Sequence, residues 1–394
     1  MILMSKELKD FHADVWHCTK CFCCAYINPY YLTDENYYDG CPAGKYFKFD
    51  SHHASGRMEI ARGIIEEELP YPSEKLLEII YSCTTCGLCQ ANCSFLKDLT
   101  PVDVIEAVRR KLVTDGIGPM PQHKRFAESI KKEHNPYREE HSKRFKSFKD
   151  AKINPDAEII YYIGCTSSYR TKEIAQSTIE ILNKLNIDYT ILGDDEWCCG
   201  SPLFRTGQMN EGKMVMEHNI KVINNKYPKA KQILFSCAGC YRTFKKDYDE
   251  LSELKLKPKT EHISEFIQKL IKKGKLNFNK KDVSITYHDP CHLGRHLGVY
   301  EQPREVINSF SNLIEMPRNR INAWCCGSGG GVKSAFNDMA IATAIDRLNE
   351  AISTNSDILM STCPFCKLNL SQANEKNTEK IEIMDLVEYI AKIL

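Results

Sequence analysis

Nineteen of the 394 residues are cysteines, and they fall in clusters. The N-terminal groups are Cys18, Cys21, Cys23, Cys24 and Cys41, then Cys83, Cys86, Cys89 and Cys93. Two more groups follow: Cys165, Cys198, Cys199, Cys237 and Cys240, then Cys291, Cys325, Cys326, Cys363 and Cys366. Close spacings and adjacent pairs of thiols suit metal, iron–sulfur or redox chemistry. A disulfide framework suits small exported domains that lack a core. This chain is long enough for two or three domains, and 42% of its residues are hydrophobic.

Cys83, Cys86, Cys89 and Cys93 have the spacing of a ferredoxin-type 4Fe–4S run. In such a run the first three thiolates wrap one cluster and the fourth usually ligates its neighbour. Cys18, Cys21 and Cys24 repeat the first three positions, and Cys41-Pro42 supplies the closing Cys-Pro after sixteen intervening residues, 25–40. A remote fourth ligand is tolerable, because one corner of a cube can be reached from anywhere in the fold. The crossed assignment is Cys18, Cys21, Cys24 and Cys93 for one cluster, and Cys41, Cys83, Cys86 and Cys89 for the other. Local pairing remains open. Four thiolates also suit zinc, but zinc sites usually pair two Cys-x-x-Cys knuckles, and triplets favour iron–sulfur. Cys23 is the spare, either a stand-in for Cys24 or a packed bystander. His12, His17, His52 and His53 nearby read as surface or packing residues.

The second half of the chain repeats itself. Cys165 to Cys291, Cys237 to Cys363 and Cys240 to Cys366 are each 126 residues; Cys198 to Cys325 and Cys199 to Cys326 are each 127. Self-similarity at a fixed offset marks an internal duplication. Each copy carries a single cysteine, an adjacent pair and a Cys-x-x-Cys. The single cysteines end the short apolar runs EIIYYIGC and SITYHDPC, and the Cys-x-x-Cys pairs follow QILFSC and DILMSTC. Strands alternating with helices predict parallel α/β units. Sites in open α/β sheets gather outside the carboxyl ends of strands, so distant thiols should converge at one end of each copy.

The elements that must position these thiols divide the chain into four parts. Residues 1–115 read as all-helical with metal loops, with helices over 57–68 and 74–81 and another opening at Thr100-Pro101. Residues 116–156, polar and proline-punctuated, read as a solvated linker with some helix. Its basic run, 143–152, is too mixed for a nucleic-acid site. Residues 157–275 and 276–394 are the two α/β copies.

Lys+Arg 53 against Asp+Glu 52 leaves a net charge of +1, which gives no footprint for nucleic acid. The apolar start, MILM, is too short for a signal-peptide core, and no run of about 18 apolar residues predicts a membrane span. A cytoplasmic location is expected, with attachment to the inner face of a membrane through a partner left open. Gly327, Gly329, Gly330 and Gly331 lack the lysine-serine/threonine ending of a phosphate loop. Beside adjacent cysteines they would let backbone approach a bulky cluster, with Gly200 and Pro202 playing that part in the first copy. No Rossmann or flavin motif is found, so electrons must come from a partner.

The duplicated motif, in stretches such as EWCCGSPLFRTGQ and HDPCHLGRHLGVYEQPREVI, resembles the cysteine-rich "CCG" domain of heterodisulfide reductases. The order of parts, a two-cluster ferredoxin-like domain and then two CCG domains, resembles the family of heterodisulfide reductase D subunits. It also resembles related iron–sulfur subunits of glycolate oxidase, anaerobic glycerol-3-phosphate dehydrogenase and lactate utilisation. The resemblance covers nearly the whole chain outside residues 116–156. It implies one noncubane 4Fe–4S cluster on Cys165, Cys198, Cys199, Cys237 and Cys240, and another on Cys291, Cys325, Cys326, Cys363 and Cys366, beside two cubane clusters. Both sets are complete, which favours redox work in both. The insertion before Cys41 departs from the pattern and puts the substrate, more than the clusters, in question.

The family implies an oxidoreductase component in which cubane clusters feed noncubane ones that cleave a disulfide of small thiols. The expected partners are a flavoprotein or a membrane cytochrome b-type protein, with no nucleic acid. The alternative is a relay from a flavin dehydrogenase to a membrane cytochrome or quinone, with no substrate of its own. A zinc-organised scaffold is the third class. Arg205, His292, Arg295 and His296 follow or flank cluster cysteines. They are candidates for binding an anionic thiol or donating protons, or for packing around the clusters. Metal analysis of anaerobically purified protein should give about sixteen iron atoms per chain, four for each of four clusters. About eight iron atoms with two zinc would make the duplicated units structural.

Overall fold

The computed structural model describes residues 6–69, 73–94 and 98–394. The apolar start at residues 1–4 lies outside them. From Leu8 to Thr114 the described elements are helices and single 3-10 turns, plus an isolated antiparallel bridge between Tyr26 and Asp39. The longer helices are Ala54–Ile65, Glu74–Tyr81 and Pro101–Thr114. The first starts three residues earlier than its apolar spacing suggests. His53 stays extended before it, and Glu67 at φ +59° ends the turn after it. Pro101 opens its helix as expected. Thr100 does not cap it, because its amide and hydroxyl both go to the Asp14 carboxylate, at 3.1 and 3.0 Å. Phe11, Met58, Ala61, Ile80, Val104, Val108 and Leu112 close the core of this part.

The second half holds two four-stranded, wholly parallel sheets. One comprises β1 (Ile159–Tyr162), β2 (Tyr189–Thr190), β3 (Gln232–Phe235) and β4 (Lys259–His262), in the order β2-β1-β3-β4. The other comprises β5 (Ser284–Tyr287), β6 (Asn312–Ile314), β7 (Ile358–Ser361) and β8 (Glu382–Asp385), in the order β6-β5-β7-β8. Helices cover both sheets, as α/β units require. The repeat extends to side chains: Tyr161 bonds Ser236 at 2.9 Å, and Tyr287 bonds Thr362 at 2.7 Å. β4, β6 and β8 escape the sequence reading, because three or four half-polar residues carry no usable alternation. The copies also share their cores. Ile160, Phe204 and Phe235 of the first pack in one cluster with Leu293, Leu348 and Leu370 of the second.

The stretch 116–156 is not a solvated linker. The helix Pro121–Glu133 buries Phe126, Ala127 and Ile130 against Cys165, Cys198, Leu203 and Val215. Asn135 is buried and donates to the carbonyls of Glu133 and Glu139, both at 2.8 Å. Arg144, wholly buried, pairs with Glu196 at 2.5 Å. Glu196 also accepts from the amides of Ile163 and Gly164, at 3.0 and 2.8 Å, and so holds the turn that leads into Cys165. An arginine in a mixed basic run reads as solvated because its partner lies 52 residues away. Among the described residues, no helix is long and apolar enough to cross a membrane.

The N-terminal part and both copies meet at Arg109, which is fully buried. Its guanidinium donates to the carbonyls of Ile80 (2.8 Å), Cys83 (2.7 Å), Arg205 (2.7 Å) and Gly330 (2.9 Å). Replacing it with leucine leaves buried carbonyls without donors, each costing about 1–3 kcal/mol. Arg109→Leu should therefore lose at least about 3 kcal/mol, read as a lower urea midpoint. An unchanged midpoint would show that water replaces the guanidinium.

Candidate metal centres

Cys165, Cys237, Cys291 and Cys363 each follow the carboxyl end of β1, β3, β5 or β7. Together with the adjacent pairs they open onto one cavity of about 470 Å³, lined by nine of the ten duplicated cysteines. The tenth, Cys325, turns toward the N-terminal part and packs with Cys86 and Cys291. The Cys237 and Cys363 side chains touch, so the two sets adjoin.

Each copy builds its thiols in the same way. Cys198 and Cys240 donate to Cys199 and hold it down at about 6. Cys325 and Cys366 hold Cys326 well below the usual thiol range. Backbone amides point at sulfur too: Gly200 to Cys198 at 3.5 Å, and Gly327 to Cys325 at 3.3 Å. Buried sulfur supplied with donors in this way is suited to carry thiolate charge, the form that binds metal.

Two smaller cavities gather the N-terminal cysteines. Cys41, Cys83, Cys86 and Cys89 line one. Cys18, Cys21, Cys23, Cys24 and Cys93 line the other. The grouping follows the crossed sets, with Cys41 beside the second triplet and Cys93 beside the first. Burial pushes the Cys24 thiol up to about 11. Cys23 is exposed, and its thiol points to the Cys21 carbonyl at 3.9 Å. His52 stacks on Phe47 with ring centres 4.2 Å apart, and His53 packs on Phe22 at 4.8 Å. Both are packing residues, while His12 and His17 are exposed. The donor sets fit iron–sulfur clusters: converging thiols, mostly buried in the duplicated units and mostly half-buried in the N-terminal part, with amide donors nearby.

The four further candidates divide. Arg205 and His292 line the large cavity. Arg205 is buried and paired with Glu106 at 3.1 Å and Asp247 at 2.7 Å. Arg242 donates to His292 Nε2 at 3.4 Å, and burial and the Arg242 charge keep this imidazole neutral. Arg295 and His296 face elsewhere. Arg295 donates to the carbonyls of Cys86 (2.8 Å) and Ala323 (2.6 Å), and His296 Nε2 donates to the Thr85 carbonyl (3.0 Å). Their donors hold the Cys83–Cys89 loop against the second copy, the packing alternative for these two residues.

The glycine run does the same work. A Cβ on Gly329 would meet the Thr84 carbonyl at 2.5 Å, and one on Gly330, at φ +62°, would meet the Cys83 carbonyl. The close approach there is to the N-terminal loop. Sequence reasoning also missed Arg125, Arg138 and Lys333, which line the large cavity with Arg205, while no carboxylate does among the described residues. No spacing rule marks them, since two sit in the supposed linker.

Two family models match the chain. A 4Fe-4S dicluster domain covers residues 14–95, and a cysteine-rich domain matches twice, at 159–245 and 285–371. These spans contain all nineteen cysteines. The chain is 37% identical over 385 residues to the D subunit of dihydromethanophenazine:CoB--CoM heterodisulfide reductase from Methanosarcina acetivorans, covering 96% of this chain and 93% of that one. It is 39% identical to the corresponding D subunit of Methanosarcina barkeri over 336 residues, covering 84% and 81%. It is 31% identical to the B subunit of fumarate reductase (CoM/CoB) from Methanothermobacter marburgensis over 385 residues, covering 95% and 71%. With this identity along nearly its full length, and with a dicluster domain followed by two cysteine-rich domains, the chain is an iron–sulfur oxidoreductase that belongs to the family of heterodisulfide reductase D subunits.

Proposed function

We propose that this chain is the disulfide-reducing component of a larger complex, acting on a mixed disulfide of two small anionic thiols of the CoB–CoM type. One observation carries the reading: thiols of both five-cysteine sets and four cationic side chains face a single cavity that no carboxylate lines among the described residues. The five cysteines of each copy would hold a noncubane 4Fe–4S cluster. The crossed sets Cys18, Cys21, Cys24, Cys93 and Cys41, Cys83, Cys86, Cys89 would hold cubane ones. When bound, such clusters supply electrons singly, and a disulfide takes two electrons and two protons to give two thiols.

The chain's own residues bind and orient. Arg125 and Arg138 are exposed at the cavity and take part in no ion pair among the described residues, so they are available to sulfonate, phosphate or carboxylate groups. Lys333, half-buried on the short helix Val332–Ala335, adds a point charge. Arg205, fixed by Glu106 and Asp247, is positioned before substrate arrives. Phe126 and Phe365 give the cavity apolar walls that exclude water. His292 accepts from Arg242 at Nε2, so its proton sits on Nδ1, beside Gly239 of the wall. Electrons would enter from a partner protein, either a flavoprotein or a membrane b-type cytochrome, given that no nucleotide fingerprint occurs in the sequence.

The test supplies electrons from a reduced viologen dye to the anaerobic protein and offers the CoB–CoM heterodisulfide. Wild type should consume it. Arg125→Ala and Arg138→Ala should each raise KM about tenfold, the equivalent of about 1.4 kcal/mol, with kcat little changed. Fully loaded protein that oxidises the dye only through other acceptors would leave the relay reading in front.

A further inference from the structure

His288 lies one residue past β5 and three before Cys291, and it is 1% exposed. Arg347 Nε donates to its Nδ1 at 3.1 Å. A guanidinium cannot accept, so Nδ1 is the acceptor and the ring proton sits on Nε2. Arg347 is itself fixed: Nη1 donates to the Glu350 carboxylate and the Arg318 carbonyl, both at 2.8 Å. Glu350 in turn binds the Arg318 guanidinium at 3.0 Å. These three residues are buried as well. The imidazole therefore has one tautomer and one orientation. Its Nε2 is held by no nitrogen or oxygen acceptor among the described residues, and the Cys326 sulfur is the acceptor within the reach of this ring. The histidine comes within 4.8 Å of both Cys326 Sγ and Cys366 Sγ. A buried donor left with only a thiol sulfur, a weak acceptor, is costly and calls for a specific explanation.

The first copy differs at this position. The matched pairs Tyr161–Ser236 and Tyr287–Thr362 fix the register, so Tyr162 stands where His288 stands in the second copy. The Tyr162 hydroxyl donates to the Trp197 carbonyl. Its donor is already taken by a backbone carbonyl, whereas the His288 ring lies beside the sulfur atoms of Cys326 and Cys366.

We propose that His288 Nε2–H donates to sulfur of the cluster held by the second five-cysteine set, so that the two duplicated sites are electronically unequal and the second is the more easily reduced. This rests on the reading of both sets as cluster sites. The physical effect is that an N–H···S bond favours the more negative, reduced state, and hydrogen bonds to sulfur are among the levers that set a cluster's potential. His288 acts through the cysteines and is a positioning residue. Arg347, Glu350 and Arg318 hold it in place.

The experiment is a redox titration followed by electron paramagnetic resonance on the full-length anaerobic protein, with iron measured in each sample. Wild type should show two separate waves from the duplicated sites. In His288→Phe one wave should move to more negative potential while the other stays. In His288→Gln, whose amide can still donate, that wave should return toward its wild-type position. A His288→Phe protein that keeps its iron and shows both waves unmoved overturns the proposal. If His288→Phe loses iron, His288→Gln decides: iron and wave retained support the donor role, and iron lost overturns it. Wild type without any wave from the duplicated sites overturns both this proposal and the cluster reading beneath it.

Discussion

The arrangement of the whole molecule depends on one buried guanidinium. Arg109 stands on the N-terminal helix Pro101–Thr114 and binds carbonyls of the Cys83 loop, the first copy at Arg205 and the second copy at Gly330. A planar fork of five N–H groups is one of few side chains that can serve three backbones at once. Lysine has three donors on a flexible stem and no fixed plane. The contact sets where the cysteines at 83, 86 and 89 sit relative to both halves of the cavity. Arg295 and His296 then bind the carbonyls of Cys86 and Thr85, and the glycines at 329 and 330 leave room for that loop to come close. The outcome is that Cys86 and Cys325, from different ligand sets, pack together in one apolar cluster with Ile27 and Leu88.

Duplication provides two like scaffolds, and their surroundings differ. The strands, the adjacent pair and the Cys-x-x-Cys repeat in kind, but the charged residues around them do not. The first copy places Arg205, Arg242 and Asp247 beside Glu106 of the N-terminal part, with a π-helical turn over Thr243–Asp247 bringing Asp247 to Arg205. Such turns recur at functional sites. The second copy instead runs its Cys-x-x-Cys helix unbroken from Pro364 to Lys376 and places a neutral His288 beside the charged Arg347, Glu350 and Arg318. At the cavity itself the first copy presents Arg205, already held by carboxylates, and the second presents Lys333.

Much of this was legible in the sequence because the informative quantity was spacing. Triplets of cysteine at three-residue steps and an offset of 126 or 127 residues survive any choice of fold, and they led to the crossed grouping and the paired parallel sheets. What stayed hidden depends on direction. Residues 291–297 form consecutive turns, so neighbours there diverge: His292 reaches the cavity while Arg295 and His296 reach the N-terminal loop. Arg144 read as solvated because local composition does not reveal Glu196. The glycine run was rightly read as a place of close approach, but not for the partner that approaches. In each case the missing fact was a contact across many residues, which no local pattern encodes.

The near-neutral net charge of +1 conceals how the charges are distributed. Arg57, Arg109 and Arg295 all lie at the cysteine loops. Their hydrogen bonds run to carbonyls and, for Arg57, to the Ser82 hydroxyl, and none of them is in an ion pair among the described residues. Carbonyl dipoles satisfy the donors but do not cancel the charge, and an uncompensated buried charge is strongly destabilising. The anions that could balance it are the thiolates: nearby sulfur, Cys86 above all, helps keep Arg295 charged against the cost of its burial. Metal binding deprotonates thiols, so a loaded N-terminal loop would carry negative charge where these guanidiniums already stand. The positive side of the site is therefore built into the fold, and the cysteines complete the charge balance as they take up metal.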